Sequence, residues 1–388
     1  MGGRSYFDWN ATAPLRDEAR DALAEAFALP GNPSSVHAEG RAARRVVEEA
    51  RERVAALVGA RPGDVVFTSS GTEANMLALS PAIEISADKG PRSRLLFSAI
   101  EHASVRAGGR FPRQAIEEIA VDADGRLDLA ALAQAVAKSP RALVSIMLAN
   151  NETGAVQPVA AAAAIVHAAG GLLHVDAVQA AGRIDCDMAS LGADLLTLSA
   201  HKIGGPKGVG ALVRRTEDIH FSDPLIRGGG QERGLRAGTE NVAGIAAFGA
   251  AAAAARRERE TEASRMLALR DLLETGLMAI SPQAVIFAAG VERLPNTTLF
   301  AAPGLKAETA VIAFDLEGLA VSSGAACSSG KVQPSHVLAA MGVSPPLTRG
   351  AVRVSLGWTT TKDDVESFLA AWRKLATALS KGQRGIAA

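Results

Sequence analysis

Unbroken apolar runs recur along the first half of the chain: Val65-Val66-Phe67, Leu95-Leu96-Phe97, residues 142–148, Leu172-Leu173-His174-Val175, Leu195-Leu196-Thr197-Leu198 and residues 208–213. A strand with one wet face alternates apolar and polar residues, so runs without alternation predict strands buried on both faces. Between them the period changes. In residues 38–58, Val46, Val47, Ala50, Val54 and Leu57 share one helical face opposite arginines and glutamates. The alanine runs 160–164 and 250–255 are strong helix formers. Strands alternating with helical spacers predict an α/β fold with a mostly parallel, doubly wound sheet.

Residues 239–280 read as one long helix, with Met266, Leu269, Leu273 and Leu277 on one face. Beyond it, Thr297-Thr298-Leu299-Phe300, a helix near residues 308–316, the strand Val352-Arg353-Val354 and a final helix predict a smaller α+β unit. Thr361 followed by Asp364 marks the start of that last helix. The expected division is a large domain of residues 15–257 and a small domain of residues 1–14 and 258–388.

Polar clusters follow the strands: Ser69-Ser70-Gly71-Thr72-Glu73-Ala74-Asn75, Glu101-His102, Asn150-Asn151-Glu152-Thr153-Gly154, Asp176-Ala177-Val178-Gln179 and Ser199-Ala200-His201-Lys202. Ligands of such sheets bind beyond the carboxyl ends of the strands, where all these clusters fall.

Composition narrows the class. The 388 residues are 48% hydrophobic and 21% charged, and Lys plus Arg balance Asp plus Glu at 41 each, so no charge excess points to nucleic acid or an anionic membrane. No apolar stretch is long enough to span a bilayer, and Met1-Gly2-Gly3-Arg4-Ser5 has no apolar signal core, so a cytoplasmic location is expected. The two cysteines, Cys186 and Cys327, do not suggest a disulfide framework. No metal site is expected.

The chemistry suggested is that of pyridoxal 5'-phosphate, which needs an amine, an anion site, a carboxylate for its ring nitrogen and a cover for the ring. Lys202, with glycines behind it, is the candidate amine at an exposed strand end. Gly71-Thr72 at a helix start suits the phosphate, because free N–H groups and the helix dipole favour an anion there. Asp176 suits the ring nitrogen, Gln179 the phenolic oxygen, and His102 the ring face. Taken singly, each has an ordinary explanation: a surface lysine, an N-cap, an acidic helix start, a satisfied histidine. Their order along the chain is specific.

Taken together, these motifs resemble the cysteine desulfurases of the NifS/IscS type, class-V aminotransferases among the fold-type I pyridoxal-phosphate enzymes. The likeness extends through Gly228-Gly229-Gly230-Gln231-Glu232, Arg236-Ala237-Gly238-Thr239-Glu240-Asn241, Ser322-Ser323-Gly324-Ala325-Ala326-Cys327 and Arg353-Val354-Ser355-Leu356-Gly357. It implies conversion of L-cysteine to L-alanine with sulfur carried on Cys327 as a persulfide. It implies that Lys202 forms the Schiff base and moves the Cα proton, and that Asp176 pairs with the ring nitrogen. Gln179 and Asn151 lie near the phenolic oxygen, and Thr72, Ser199 and His201 hold the phosphate. Asn151 and Arg353 bind the substrate carboxylate. Thr239 reaches the phosphate of a second subunit, so a homodimer is implied, as is a sulfur acceptor such as an iron–sulfur scaffold. Ala11-Thr12-Ala13 and Trp9 depart from the family pattern. Other fold-type I enzymes, an aminotransferase or a selenocysteine lyase, remain alternatives that do not need Cys327; a non-catalytic sulfur carrier is a third. Cys186, between two aspartates, is expected to be structural.

Overall fold

In the computed structural model, which describes residues 4–85, 90, 92–323 and 334–386, the apolar runs form a seven-stranded sheet. Its order is Val65–Thr68, Gly210–Arg214, Leu195–Ser199, Leu172–Asp176, Leu143–Met147, Leu95–Ser98 and Ile116–Ile119. Only Gly210–Arg214 runs antiparallel to its neighbours. Successive residues of each inner strand enter different cores. Leu95, Leu143, Leu172 and Leu195 pack with Ala74 and Leu77 on one face. Leu96, Val144, Leu173 and Leu196 pack with Val54, Phe248 and Ala251 on the other. Burial on both faces is why these runs do not alternate. The last strand begins at Gly210 rather than 208, because residues 207–208 form the turn before it.

The long helix is Val242–Ile280 and the helix before the first strand is Ala38–Leu57. A helix at Asp17–Phe27 and the edge strand Ile116–Ile119, neither expected, complete this part. A second, antiparallel sheet has the order Val285–Ile286, Thr297–Ala301, Val352–Ser355, Ser322–Ser323. Its core is aromatic: Phe314 stacks on Phe368 at 4.7 Å, and Phe300 meets Trp372 edge-on at 5.1 Å. Thr361 caps the final helix, Lys362–Ile386: Asp364 N–H donates to its hydroxyl while its own N–H donates to the Asp364 carboxylate.

The amino-terminal segment ties both sheets to the site. Ser5–Tyr6 pairs with Leu319–Ala320, and Asp8 bridges to Ser355. Trp9 is buried against Trp358, edge-on at 4.5 Å, with the Arg16 guanidinium over the Trp358 ring at 4.0 Å. A Cβ on Gly357 would fall about 2.0 Å from Cδ2 of Trp9, so only glycine lets the backbone pass this ring. Residues 10–12 then cross the carboxyl ends of the large sheet. No described helix is long and apolar enough to cross a membrane.

Candidate active site

The strand ends open into a cavity of about 760 Å³. Asp8, Thr72, His102, Asn151, Asp176, Gln179, Ser199, His201, Lys202 and Arg353 all line it. Of the described sequence candidates only Thr239 does not. Thr239 is exposed and outside the cavity of its own chain, and Cys327 lies outside the described residues.

Lys202 is not at an open strand end. It sits on a short 3-10 turn, Ala200–Lys202, and its Nζ donates to the carbonyl oxygens of Asn10 at 2.6 Å and Ala11 at 2.8 Å. Burial, then the charges of Arg353 and Arg183, pull its pKa down to about 7, against the opposing pull of Asp8 and Asp176. An amine of that pKa is half neutral near physiological pH, as a nucleophile or base must be.

The anion end is the start of helix Gly71–Ala78. Ser70 caps it, accepting from Glu73 N–H at 3.1 Å. The first N–H groups of a helix have no partner within it, so those of Gly71 and Thr72 remain for a ligand. A Cβ on Gly71 would come within 3.1 Å of Val178 and 3.2 Å of Ser199, so the cradle is closed tightly around this glycine. Arg236 binds the other face of this turn, its Nε donating to Glu73 at 2.9 Å. The segment that carries Thr239 is therefore tied to the anion end. His201, whose Nδ1 lies 3.2 Å from Thr12 Oγ1, is neutral there, since burial and then Lys202 and Lys207 push its pKa to about 4.

Asp176 ends the Leu172–Asp176 strand. One carboxylate oxygen accepts from Asn75 Nδ2 at 2.9 Å and the other from Val178 N–H at 3.0 Å. Asn75 also donates to Ser104 Oγ at 2.9 Å. It was not singled out from the sequence, although it stands three residues after Thr72 and so shares its helix face. His102 caps the next short helix: Ser104 N–H donates to its Nδ1 at 3.2 Å, and Ser104 Oγ lies 2.8 Å from that nitrogen. With Nδ1 accepting, Nε2 is the nitrogen left to exchange a proton. Burial lowers the His102 pKa despite Asp176.

Arg353 is on an interior strand of the small sheet, not an edge. Its Nη2 donates to Asp8 at 2.8 Å and its Nη1 to the Asn151 carbonyl at 2.9 Å, while Nε is buried with no partner. A carboxylate in the cavity meets a guanidinium with donors to spare. Cys186 is buried, and burial followed by Asp185 pushes its thiol pKa up. The donor set fits pyridoxal phosphate: an amine, an anion cradle, a carboxylate backed by two donors, and an imidazole, all around one space.

Known proteins resemble this chain along most of its length. A family model, Aminotransferase class-V, matches residues 5–368. A cysteine desulfurase from Cereibacter sphaeroides is 46% identical over 376 residues, 94% of each chain. The cysteine desulfurase IscS of Dictyoglomus turgidum is 41% identical over 372 residues, 94% of this chain and 92% of that one. The solved structure of a NifS-like protein from Rickettsia africae superposes with a TM-score of 0.86 at 35% identity, over 96% of this chain and 99% of that one. Sequence likeness and coverage agree across nearly the whole chain, the fold agrees with the solved structure, and the chain belongs to the cysteine desulfurases of the class-V aminotransferase family.

Proposed function

We propose that this desulfurase converts L-cysteine to L-alanine, holds pyridoxal 5'-phosphate in the strand-end cavity and passes the sulfur through Cys327. The observation that carries the reading is the Lys202 amine, held near neutrality with Asp176, Gln179, His102 and Arg353 around the same cavity. Thr72, Ser199, His201 and the free N–H groups of Gly71 and Thr72 hold the phosphate. Asp176 meets the ring nitrogen, His102 covers the ring, and Gln179 and Asn151 lie at the phenolic oxygen. When bound, the group supplies an electron-withdrawing ring that acidifies the Cα–H of an amino acid.

The chain's own residues do the rest. Arg353 and Asn151 orient the substrate carboxylate. The neutral Lys202 Nζ takes the Cα proton and returns it. The Cys327 thiolate attacks the substrate sulfur, forming an S–S bond as the C–S bond breaks. The electron pair of the broken bond stays on the β carbon, which gains a proton to become the methyl group of alanine. Sulfur is left as a persulfide on Cys327, for transfer to an acceptor such as an iron–sulfur scaffold. The reading includes a cytoplasmic homodimer, with Thr239 of each subunit completing the phosphate site of the other. It also includes the division into residues 15–257 and residues 1–14 with 258–388.

Protein supplied with pyridoxal phosphate is expected to turn yellow, and with L-cysteine and a reductant to release alanine and sulfide in equal amounts. Absence of either result rejects the reading. Arg353→Ala is expected to raise KM for cysteine roughly a hundredfold, equivalent to about 2.7 kcal/mol, with a smaller change in kcat. Steady-state kinetics check this, and an unchanged KM excludes Arg353 from carboxylate binding.

A further inference from the structure

The two ends of an amide side chain differ in hydrogen-bonding sign: the oxygen accepts and the NH2 donates. Which end of Gln179 faces the cavity decides whether it stabilises or repels a bound oxygen anion. Here the orientation is forced from behind. Arg183, four residues on, is only 7% exposed. Its Nη1 donates to Gln179 Oε1 at 2.6 Å and to the Gln179 backbone carbonyl at 2.7 Å. A guanidinium has no acceptor, so the atom facing it is the amide oxygen. The Gln179 NH2 donates one proton to the Asn10 carbonyl at 2.9 Å, which leaves the other for the cavity that Gln179 lines. The same Asn10 oxygen accepts from Lys202 Nζ at 2.6 Å. Arg183 also donates to the Trp9 carbonyl at 3.4 Å, so it holds both the amide and the backbone that carries Asn10.

We propose that Arg183 is a positioning residue that turns the Gln179 NH2 toward the cofactor cavity and, through the Asn10 carbonyl, fixes where the Lys202 amine rests. The proposal rests on the reading that the cavity takes pyridoxal phosphate with its phenolic oxygen at Gln179. A donor there stabilises the phenolic oxygen as an anion. Without Arg183 only the Asn10 carbonyl still orders the amide, and a turn that presents its oxygen to the cavity repels the anion.

Charge acts in the same direction. Lys202 faces Arg353 and Arg183, which disfavour its protonation, and Asp8 and Asp176, which favour it. Of the other titratable groups lining the cavity, His102 and His201 have pKa values lowered by burial, and the Glu308 carboxylate is the third. Removing the Arg183 charge therefore raises the Lys202 pKa. A lysine at 183 keeps the charge and a donor; a methionine keeps only bulk.

The test uses Arg183→Met and Arg183→Lys in two measurements. The first is the absorbance of the cofactor-loaded protein against pH. The second is the acylation rate of Lys202 against pH in cofactor-free protein, read by mass spectrometry. In Arg183→Met both midpoints are expected to rise by about one unit, which is a tenfold smaller neutral fraction of the amine below its midpoint. Arg183→Lys is expected to titrate closer to the parent than to Arg183→Met. Folded Arg183→Met whose two titrations overlay the parent overturns the proposal. A parent protein that never becomes yellow rejects the cofactor reading instead, and the acylation measurement still tests the lysine half. If Arg183→Met is insoluble, Arg183→Gln takes its place with the same expected rise.

Discussion

Lys202→Ala is expected to lower kcat/KM for cysteine by about a thousandfold or more, the scale of a lost positioned base compounded by a lost anchoring amine. Borohydride is expected to fix pyridoxal phosphate covalently to the parent chain at Lys202 and to leave none attached to the variant. Mass spectrometry of tryptic peptides reads both outcomes, and covalent cofactor on the variant excludes Lys202 as the attachment point. The parent activity also has a predictable acid limb. Only the neutral amine accepts a proton, and its pKa is held at about 7. The base form grows as pH rises through that value, so the rate falls as pH drops below it. Asp8→Asn removes a charge that favours the protonated amine, so the limb moves to lower pH.

Cys327→Ala is expected to stop alanine formation from cysteine, by about a thousandfold, while leaving the Cα proton exchangeable. In deuterated water the variant is expected to incorporate deuterium at Cα of recovered cysteine, because Lys202 and Arg353 are intact. Proton NMR separates the two steps, and alanine formation at the parent rate sinks the sulfur-transfer role of Cys327. The other cysteine cannot substitute. Cys186 is buried, its Sγ faces the Ile184 carbonyl at 3.5 Å, and burial with Asp185 beside it disfavours the thiolate. An aminotransferase or selenocysteine lyase would tolerate the loss of Cys327, so this variant also distinguishes the alternatives left open by the cofactor site.

Much of the site was legible because strand ends and helix starts leave marks in sequence. Thr72, Asp176 and Lys202 each stand where an apolar run gives way to polar or glycine residues, and the fold brings them to one cavity. What was not legible falls into two kinds. Backbone acceptors leave no mark: the Asn10 and Ala11 carbonyls that hold Lys202 could be supplied by any residue type. Buried polar groups acting from behind the cavity also look ordinary in sequence. Asn75 and Arg183 sit in helix-like or turn contexts where an asparagine or arginine is usually solvated. The missed strand Ile116–Ile119 has a physical reason as well. As the edge of the sheet it keeps Glu117 and Glu118 between two isoleucines, which breaks the unbroken apolar pattern of the inner strands. Nothing in the sequence around Arg353 shows that its strand is paired on both sides, with Thr297–Ala301 and Ser322–Ser323, which holds the guanidinium at the cavity rather than in solvent.

The path of residues 5–12 matters for anyone engineering this protein. The segment leaves its pairing with Leu319–Ala320 at Tyr6, contributes the Asp8 carboxylate to Arg353, and supplies the Asn10 carbonyl to Lys202 and Gln179 and the Ala11 carbonyl to Lys202. Fusion partners belong ahead of Ser5. A deletion or proteolytic nick within residues 6–12 disturbs the packing of buried Phe7 and Trp9 and removes parts of the site while the strands of the seven-stranded sheet stay intact, so any product that stays soluble is expected to be inactive. Solubility alone is therefore a poor criterion for choosing shortened versions, and cofactor absorbance is the better screen.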